Sequence, residues 1–592
     1  MKNQTLKMQD SSHKDLPVLV LMTFVLFVIK AVWAVLISSG PLVSDELLYK
    51  FNASAIFDLQ KYFTAHYPPA YSLVLAPALF FKDWYEGMLV LNAFWSSLVV
   101  PAAWLLARAT GVQHPLMAAA LAALLPMQVV YPNILFSENL FVPLFVLATA
   151  LALRGGKRGN VEALAFGIVL GMTHLTKYLF LPALPLLFGA WLYSRSRNMP
   201  DTRSGSLLQR YLPAFLVLVS YVVVICVWLI YGLASGFNLK ELFGLDISGI
   251  KTKAVTGGSL FLWMVVYSSY VILAWLPVWG IIAVWLSQLS DKAWRLRPGP
   301  QQERFLVLTL LLLGCYWLVA VQHSFGVAYN YPIPKYMIGR YLMHLSPIML
   351  VAGVWFLERV TERIIPLRPI KALISISILI CSASVAWWIL FNKGIWAFGA
   401  GFANREPGTV DVIALVLPQM LFAAIVMVLL TLAMMCFKKN NIRIIMLPMV
   451  VFMLVSLAVD AGRIHSRQNG LHYRQMAYAA ANLNDRVNDT LNIYTDSREL
   501  SQLLSQHFRG KEYAMIMNQK RLAFWGVQQK KILIQDVSMQ AGFQFPLIQV
   551  PSILVSNKLL NIKPMREYIV NGKTYYIYRV DGLHLKVIRS PI

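Results

Sequence analysis

The sequence predicts a polytopic α-helical membrane protein carrying a small α/β domain in its C-terminal part. Three observations lead there. Of 592 residues, 58% are hydrophobic and 13% charged, with a mean hydropathy of +0.60, too few polar side chains to cover a soluble globule of this size. The apolar residues fall in blocks of about 15 to 26, the length that crosses a bilayer. Beyond about residue 460 the blocks stop, and the mixed pattern of a soluble domain replaces them.

In chain order, spans are expected near 16–38, 86–108, 115–131, 138–153, 161–178, 180–194, 211–234, 262–287, 304–322, 341–358, 369–391, 412–437 and 442–460. The third to sixth are short, so the expected number is about 11–14 transmembrane helices. The first run, Leu16 to about Ile37, is longer than a signal-peptide core and lacks an A-x-A site, which predicts an uncleaved first helix.

The formal net charge is +25, and about 22 of the 52 Lys and Arg lie in short connections between apolar spans. That distribution is a topology signal, so no nucleic-acid partner is expected. Basic residues crowd the N-terminus (Lys2, Lys7, Lys14), "RGGKRG" at 154–159 and the segments 194–210, 291–304, 358–371 and 438–443. By the positive-inside rule these are cytoplasmic. The connections 39–85, 132–137, 235–261, 323–340 and 392–411 are then external, and thirteen spans place the rest of the chain outside as well.

Two domains are therefore expected: 1–460 in the membrane, with a large first external loop at 39–85, and 461–592 as a soluble extracytoplasmic α/β or α+β domain. In the latter, "TLNIYTD", "YAMIM" and "KILIQDV" read as strands, "SRELSQLLSQHF" as a helix, and "REYIVNGKTYYIYRV" as a hairpin turned at Asn571-Gly572. No Gly-rich phosphate loop follows any strand, so the domain shows no nucleotide fingerprint, and the lack of a cytoplasmic nucleotide-binding domain in the sequence argues against a sugar-nucleotide donor. The 18 basic and 8 acidic residues after position 460 suit an anionic acceptor or phospholipid headgroups. Cys226, Cys315, Cys381 and Cys436 lie in or beside apolar blocks without metal-ligand spacing, so neither a disulfide framework nor a zinc site is expected.

The first external loop carries the chemistry. "SDELLYKFNASAIFDLQKYF" sets Leu47, Leu48, Phe51, Ala55, Ile56, Leu59 and Phe63 at near-helical spacing, with Lys50, Asp58 and Lys61 elsewhere, which predicts an amphipathic helix on the membrane surface. "HYPPAYSLVLAPALFF" then returns to apolar sequence too short to span and is expected to pack back onto the bundle. Asp45 and Glu46 open the helix. Capping its free amides would explain them, and Ser137-Glu138 at the start of the fourth span could equally be a helix start. Two acidic points at one membrane face nevertheless suit glycosyl transfer from a lipid phosphate, where a carboxylate takes the acceptor's proton and cations receive the departing phosphate. Candidate cations are Lys177 in "THLTKYLF" and Lys335 and Arg340 in "YNYPIPKYMIGRYLMHLSP", with Tyr341, His66 and Tyr67 as further substrate contacts. Snorkelling or interfacial anchoring is the plainer account of the three cations.

At these residues the chain resembles the GT-C superfamily of polyprenyl-phosphate-sugar-dependent glycosyltransferases, within it the protein O-mannosyltransferase and lipid A aminoarabinose transferase group. Four stretches over about residues 16–360 carry the likeness: "SDE" after the first span, "HYPPAYSLVLAPAL", "GMTHLTKYLFLPALPLL" and "GRYLMHLSPIMLVAG". The resemblance implies Asp45 as catalytic carboxylate with Glu46 beside it, external cations on the donor's phosphate, and Glu138 positioning donor or acceptor, although Ser-Glu stands where an aspartate is usual. It implies a polyprenyl-phosphate-linked sugar donor, a glycan, lipid or protein acceptor, contact with membrane lipids, and residence in a bacterial inner membrane. No DxD motif is visible, so no metal or other cofactor is expected. A transporter or lipid flippase would also have many spans. It would show mid-membrane charges and related halves, whereas here Lys30 is the clearest mid-span charge and no internal repeat is visible. A non-catalytic scaffold, which would tolerate loss of Asp45, is the third reading.

Overall fold

The computed structural model describes residues 2–36, 44–81, 83–125, 127–156, 159–198, 207–245, 300–323, 325 and 340–361, isolated positions between 260 and 271, and, further on, 491–495, 513–516, 532–536, 552–556, 563–570 and 573–579. The expected spans at 369–391, 412–437 and 442–460 and the expected helix at 497–508 lie outside the described residues. The chain divides into two compact units, one of Met1–Ala34, Thr64–Val74 and Leu89–Gly462, the other of Val35–Phe63, Leu75–Met88 and Arg463–Ile592.

The helices, in order, are α1 (Lys2–Leu36), α2 (Ser44–Phe57), α3 (Pro69–Leu75), α4 (Trp84–Ser97), α5 (Val99–Thr110), α6 (Pro115–Ala123), α7 (Met127–Val130), α8 (Glu138–Arg154), α9 (Asn160–Thr176), α10 (Leu184–Asn198), α11 (Leu207–Ala234), α12 (Leu239–Leu242), α13 (Pro300–His323), α14 (Arg340–Met343) and α15 (Ser346–Thr361). Among the described residues, four stretches are long and apolar enough to cross a membrane: Asp15–Leu36, Trp84–Thr110, Tyr211–Ala234 and Gln301–His323. The chain is an integral membrane protein built on apolar helices of membrane-spanning length.

Three expected spans are broken, and each break has a proline just beyond it. The span at 86–108 is interrupted at Leu98, because Pro101 has no amide to give the carbonyl of Ser97. The span at 115–131 is not continuous: α6 stops at Ala123, because Pro126 has no amide to give the carbonyl of Ala122, and α7 is followed by a 3-10 turn, Tyr131–Asn133. The span at 341–358 splits at His344-Leu345, where Pro347 cannot bond the carbonyl of Met343. Lys30, buried in α1, crosses to two of these irregular regions: its Nζ donates to Ser96 Oγ (3.0 Å) and to Gln128 Oε1 (2.8 Å).

Helices α9 and α11 lie in close contact. A Cβ on Gly167 would stand 2.3 Å from the Val217 carbonyl oxygen and 2.0 Å from Ser220 Oγ, and one on Gly171 would stand 2.8 Å from Val224. Glycines one turn apart are what permit this approach, the usual device where helices meet without a hydrophobic driving force.

The second unit holds a six-stranded sheet of β1 (Leu491–Thr495), β2 (Tyr513–Ile516), β3 (Ile532–Asp536), β4 (Ser552–Ser556), β5 (Arg566–Val570) and β6 (Lys573–Arg579), in the order β2-β3-β1-β4-β6-β5. The first four are parallel, with Ile493 opposite both Ile534 and Ile553. The last two form an antiparallel hairpin with Val570 opposite Lys573, and β6 pairs antiparallel with β4. Parallel pairing and a closing hairpin define an α/β sheet with an antiparallel edge. The strand β4 was not expected from the sequence; "SILVS" is short and apolar, and nothing in its spacing separates it from a loop.

Candidate active site

In the second unit, α2 begins at Ser44, so Asp45 and Glu46 do occupy its first turn. Asp45 is described by its backbone alone. Glu46 is completely buried and accepts a hydrogen bond from the Tyr85 hydroxyl at 2.9 Å. Lys50, one turn along, is 1% exposed and lies 4.4 Å over the Trp84 ring and 5.9 Å from the Phe51 ring. Positions 46 and 50 share a helix face, and the consecutive Trp84 and Tyr85 cover it. The Phe57 and Phe80 rings meet edge to face at 4.7 Å, packing the end of α2 on the 3-10 turn Ala76–Phe80.

This overturns the expected surface helix. The residues from Tyr49 to Ala55 are buried, Lys50 and Asn52 included, so α2 is covered by the protein where a polar face was expected. It also stops at Phe57, and Leu59, assigned to the apolar stripe, is 92% exposed in a left-handed conformation at φ 50°. Burial disfavours the ammonium form, and the Lys50 amine is held well below the usual lysine range. The Trp84 face returns only ~0.5–2 kcal/mol of a desolvation cost of several kcal/mol.

In the first unit, Glu138 opens α8 and is 3% exposed. Lys177, 39 residues on, ends α9 in an extended conformation (φ −158°) and turns its Nζ to Glu138 Oε1 at 2.5 Å. It is a paired lysine at the edge of an aromatic floor. Its Nζ stands 5.9 Å from the Phe141 ring, which stacks on Phe145 and meets His344 and Phe180 edge to face. The floor lines one side of the pair, whose carboxylate is buried while the Lys177 side chain keeps 17% of its surface exposed.

The turn before Glu138 is held by residues that sequence reasoning did not flag. Asn139 Nδ2 donates to the carbonyls of Tyr131 (2.8 Å), Ile134 (3.1 Å) and Phe136 (3.0 Å). Asn92 Nδ2 donates to the same Ile134 carbonyl at 3.0 Å, while its Oδ1 accepts from Tyr71 at 2.7 Å. Tyr71 comes from "HYPPAYSLVLAP", so part of that segment does pack on the helices. Two asparagines in a greasy sequence carry no spacing signal that would have found them.

Arg340 heads α14 and is described by its backbone alone; Tyr341 follows it, with its hydroxyl 2.8 Å from His323 Nε2. Lys335 lies outside the described residues. His66 is exposed, with its ring against Tyr67 at 4.8 Å. Among the described residues, no three His, Cys, Asp or Glu side chains gather as they would around a metal ion.

Solved structures supply the comparison that sequence does not, since neither a family model nor a curated protein matches the chain. ArnT from Cupriavidus metallidurans, bound to undecaprenyl phosphate, aligns with a TM-score of 0.55 at 14% identity, over 94% of this chain and 97% of that one. The fold is similar to that of ArnT. The apo state of ArnT gives a TM-score of 0.52 over the same shares at the same identity. The archaeal oligosaccharyltransferase AglB from Archaeoglobus fulgidus, in complex with an inhibitory peptide and a dolichol-phosphate, aligns at 0.38 and 12% identity over 82% of this chain and 64% of its own, a score at which a shared topology is not established. The alignment with ArnT covers nearly the whole of both chains.

Proposed function

We propose that this chain is an integral membrane glycosyltransferase that moves a sugar from a polyprenyl-phosphate donor to an acceptor hydroxyl. The observation that carries the reading is the place of Asp45 and Glu46, in the first turn of a helix directly after the first span, in a fold similar over 94% of the chain to that of a protein bound to undecaprenyl phosphate. In this reading the acceptor oxygen attacks the sugar's anomeric carbon, the bond from that carbon to the phosphate oxygen breaks, and Asp45 takes the acceptor's proton. The phosphate departs as the lipid monoester, and a single displacement inverts the anomeric centre.

Glu46, fixed by Tyr85, holds the first turn of α2 in place and keeps Asp45 oriented. Lys177, Lys335, Arg340 and Tyr341 supply positive charge and donors for the phosphate, with Glu138 holding Lys177 and with His66 and Tyr67 near the acceptor path. The membrane part, 1–460, does the chemistry and the part after 461 faces the acceptor. In this reading the reaction and the whole of 461–592 lie on the extracytoplasmic face of a bacterial inner membrane, with the N-terminus cytoplasmic. Lys30, the natural starting point for a transport reading, is engaged by the neutral Ser96 and Gln128. A proton or ion relay would set acids or bases there.

The test is Asp45→Asn, purified in lipid beside wild type, with release of undecaprenyl phosphate from radiolabelled undecaprenyl-phosphate sugars followed in each. Turnover is expected to fall by about 10²–10⁴-fold with the thermal midpoint unchanged. A wild type that turns over none of these donors, beside a variant that merely melts earlier, would make the acid a helix cap.

A further inference from the structure

Helix α14 is only one turn long, yet both of its ends are tied down. At its end, Met343 Sδ accepts a hydrogen bond from Tyr131 (3.4 Å), and the His344 ring that follows lies among Phe141, Phe145 and Tyr316 at 5.3, 5.1 and 4.1 Å. Phe141 is the ring beside Lys177, so His344 and Phe141 form a chain of contacts from the end of α14 to the Glu138–Lys177 pair. At its start, Tyr341 meets His323, the last residue of α13, with 2.8 Å between Oη and Nε2 and 4.5 Å between ring centroids. Nothing in the sequence pattern marks His323, and the reaction as described above does not use it.

The chemistry of a phosphate ligand decides which way this hydrogen bond runs. Phosphate oxygens accept hydrogen bonds and repel lone pairs. If the phenol gives its hydrogen to a bare imidazole nitrogen, it turns only lone pairs toward an anion. If Nε2 carries the hydrogen and donates it, the phenolic hydrogen is not spent on the imidazole. We propose that His323 is a positioning residue of the lipid-phosphate site, donating from Nε2–H to the Tyr341 oxygen so that the Tyr341 hydroxyl donates to a phosphate oxygen of the donor. The assignment rests on the polyprenyl-phosphate reading given above.

The glutamine and asparagine substitutions separate this role from a structural one. A glutamine amide reaches the place of Nε2 and carries N–H there, whereas an asparagine amide stops at the place of Nδ1; both keep a polar side chain at the end of α13. Binding of undecaprenyl phosphate is measured in nanodiscs for wild type, His323→Gln, His323→Asn, Tyr341→Phe and the His323→Asn/Tyr341→Phe double variant, with thermal midpoints recorded for each. His323→Asn and Tyr341→Phe are each expected to weaken binding about tenfold, the order of one hydrogen bond to a charged group. His323→Gln stays within about threefold of wild type, and the double variant binds no more weakly than Tyr341→Phe alone, since His323 acts through that phenol. The donor KM should rise in the same order in His323→Asn while kcat moves less. Wild-type binding by His323→Asn, or losses that multiply in the double variant, would overturn the role of His323 and leave the donor reading standing. A wild type that binds no undecaprenyl phosphate would overturn both.

Discussion

Glu46 and Glu138 are both buried carboxylates in the first turn of a helix, yet the phenol of Tyr85 donates to one and the ammonium of Lys177 to the other. A phenol brings one hydrogen bond and no charge. A lysine brings a full opposing charge to a carboxylate that is itself only 2% exposed. The difference teaches that burial alone says little about what an acid is for. The Glu138–Lys177 pair is nearly neutral as a whole and lends itself to holding two helix ends in register, while the Tyr85 phenol adds a hydrogen bond and no charge to the first turn of α2.

The sharpest way to break the comparison is to strip the charge from one side. Lys177→Met takes the opposing charge from a buried carboxylate and is expected to cost about 3–5 kcal/mol, read as a lower thermal midpoint in nanodiscs. Adding Glu138→Gln should recover most of that stability and none of the activity, if Lys177 serves the phosphate. Recovery of both would make the pair purely structural.

Tyr85→Phe removes the neutral partner instead. The expected loss is smaller, about 1–3 kcal/mol, because one donor to a buried carboxylate disappears and no charge is orphaned by it. A loss as large as that of Lys177→Met would erase the distinction drawn here.

Lys50 gives the smallest effect and one that depends on pH. Its native pKa is depressed by burial, so between that value and about 10.4, the ordinary lysine value, the unfolded chain binds the extra proton. Stability contributed at this site therefore rises with pH through that window. Compared with Lys50→Met, wild type should gain in thermal midpoint as pH rises toward about 10; a difference between the two that is flat with pH would mean the amine titrates normally.

What the sequence made legible follows from the kind of signal each feature leaves. The helices and most strands were readable because hydropathy blocks and alternation are local patterns, and Glu138 and Lys177 stood out as single charges at the ends of apolar runs. Their partnership was not readable, since 39 residues separate them and only the fold brings α8 and α9 side by side. The helix breaks were written in Pro101, Pro126 and Pro347, but a hydropathy window does not register a missing amide. Lys50 was misplaced for a different reason: helical spacing correctly set it opposite part of the apolar stripe, and Trp84 and Tyr85, from a distant segment, then covered that face too.

The glycines of α9 bear on traffic within the bilayer. With Gly167 and Gly171 set against the backbone of α11 around Val217 and Tyr221, there is no room for a methyl group between the two helices, and still less for an acyl or isoprenoid chain. A long-tailed molecule approaching from the lipid phase cannot slip in through this seam. A bulky residue engineered at Gly171 would force α9 and α11 apart and open a wall of the protein rather than a path for such a molecule.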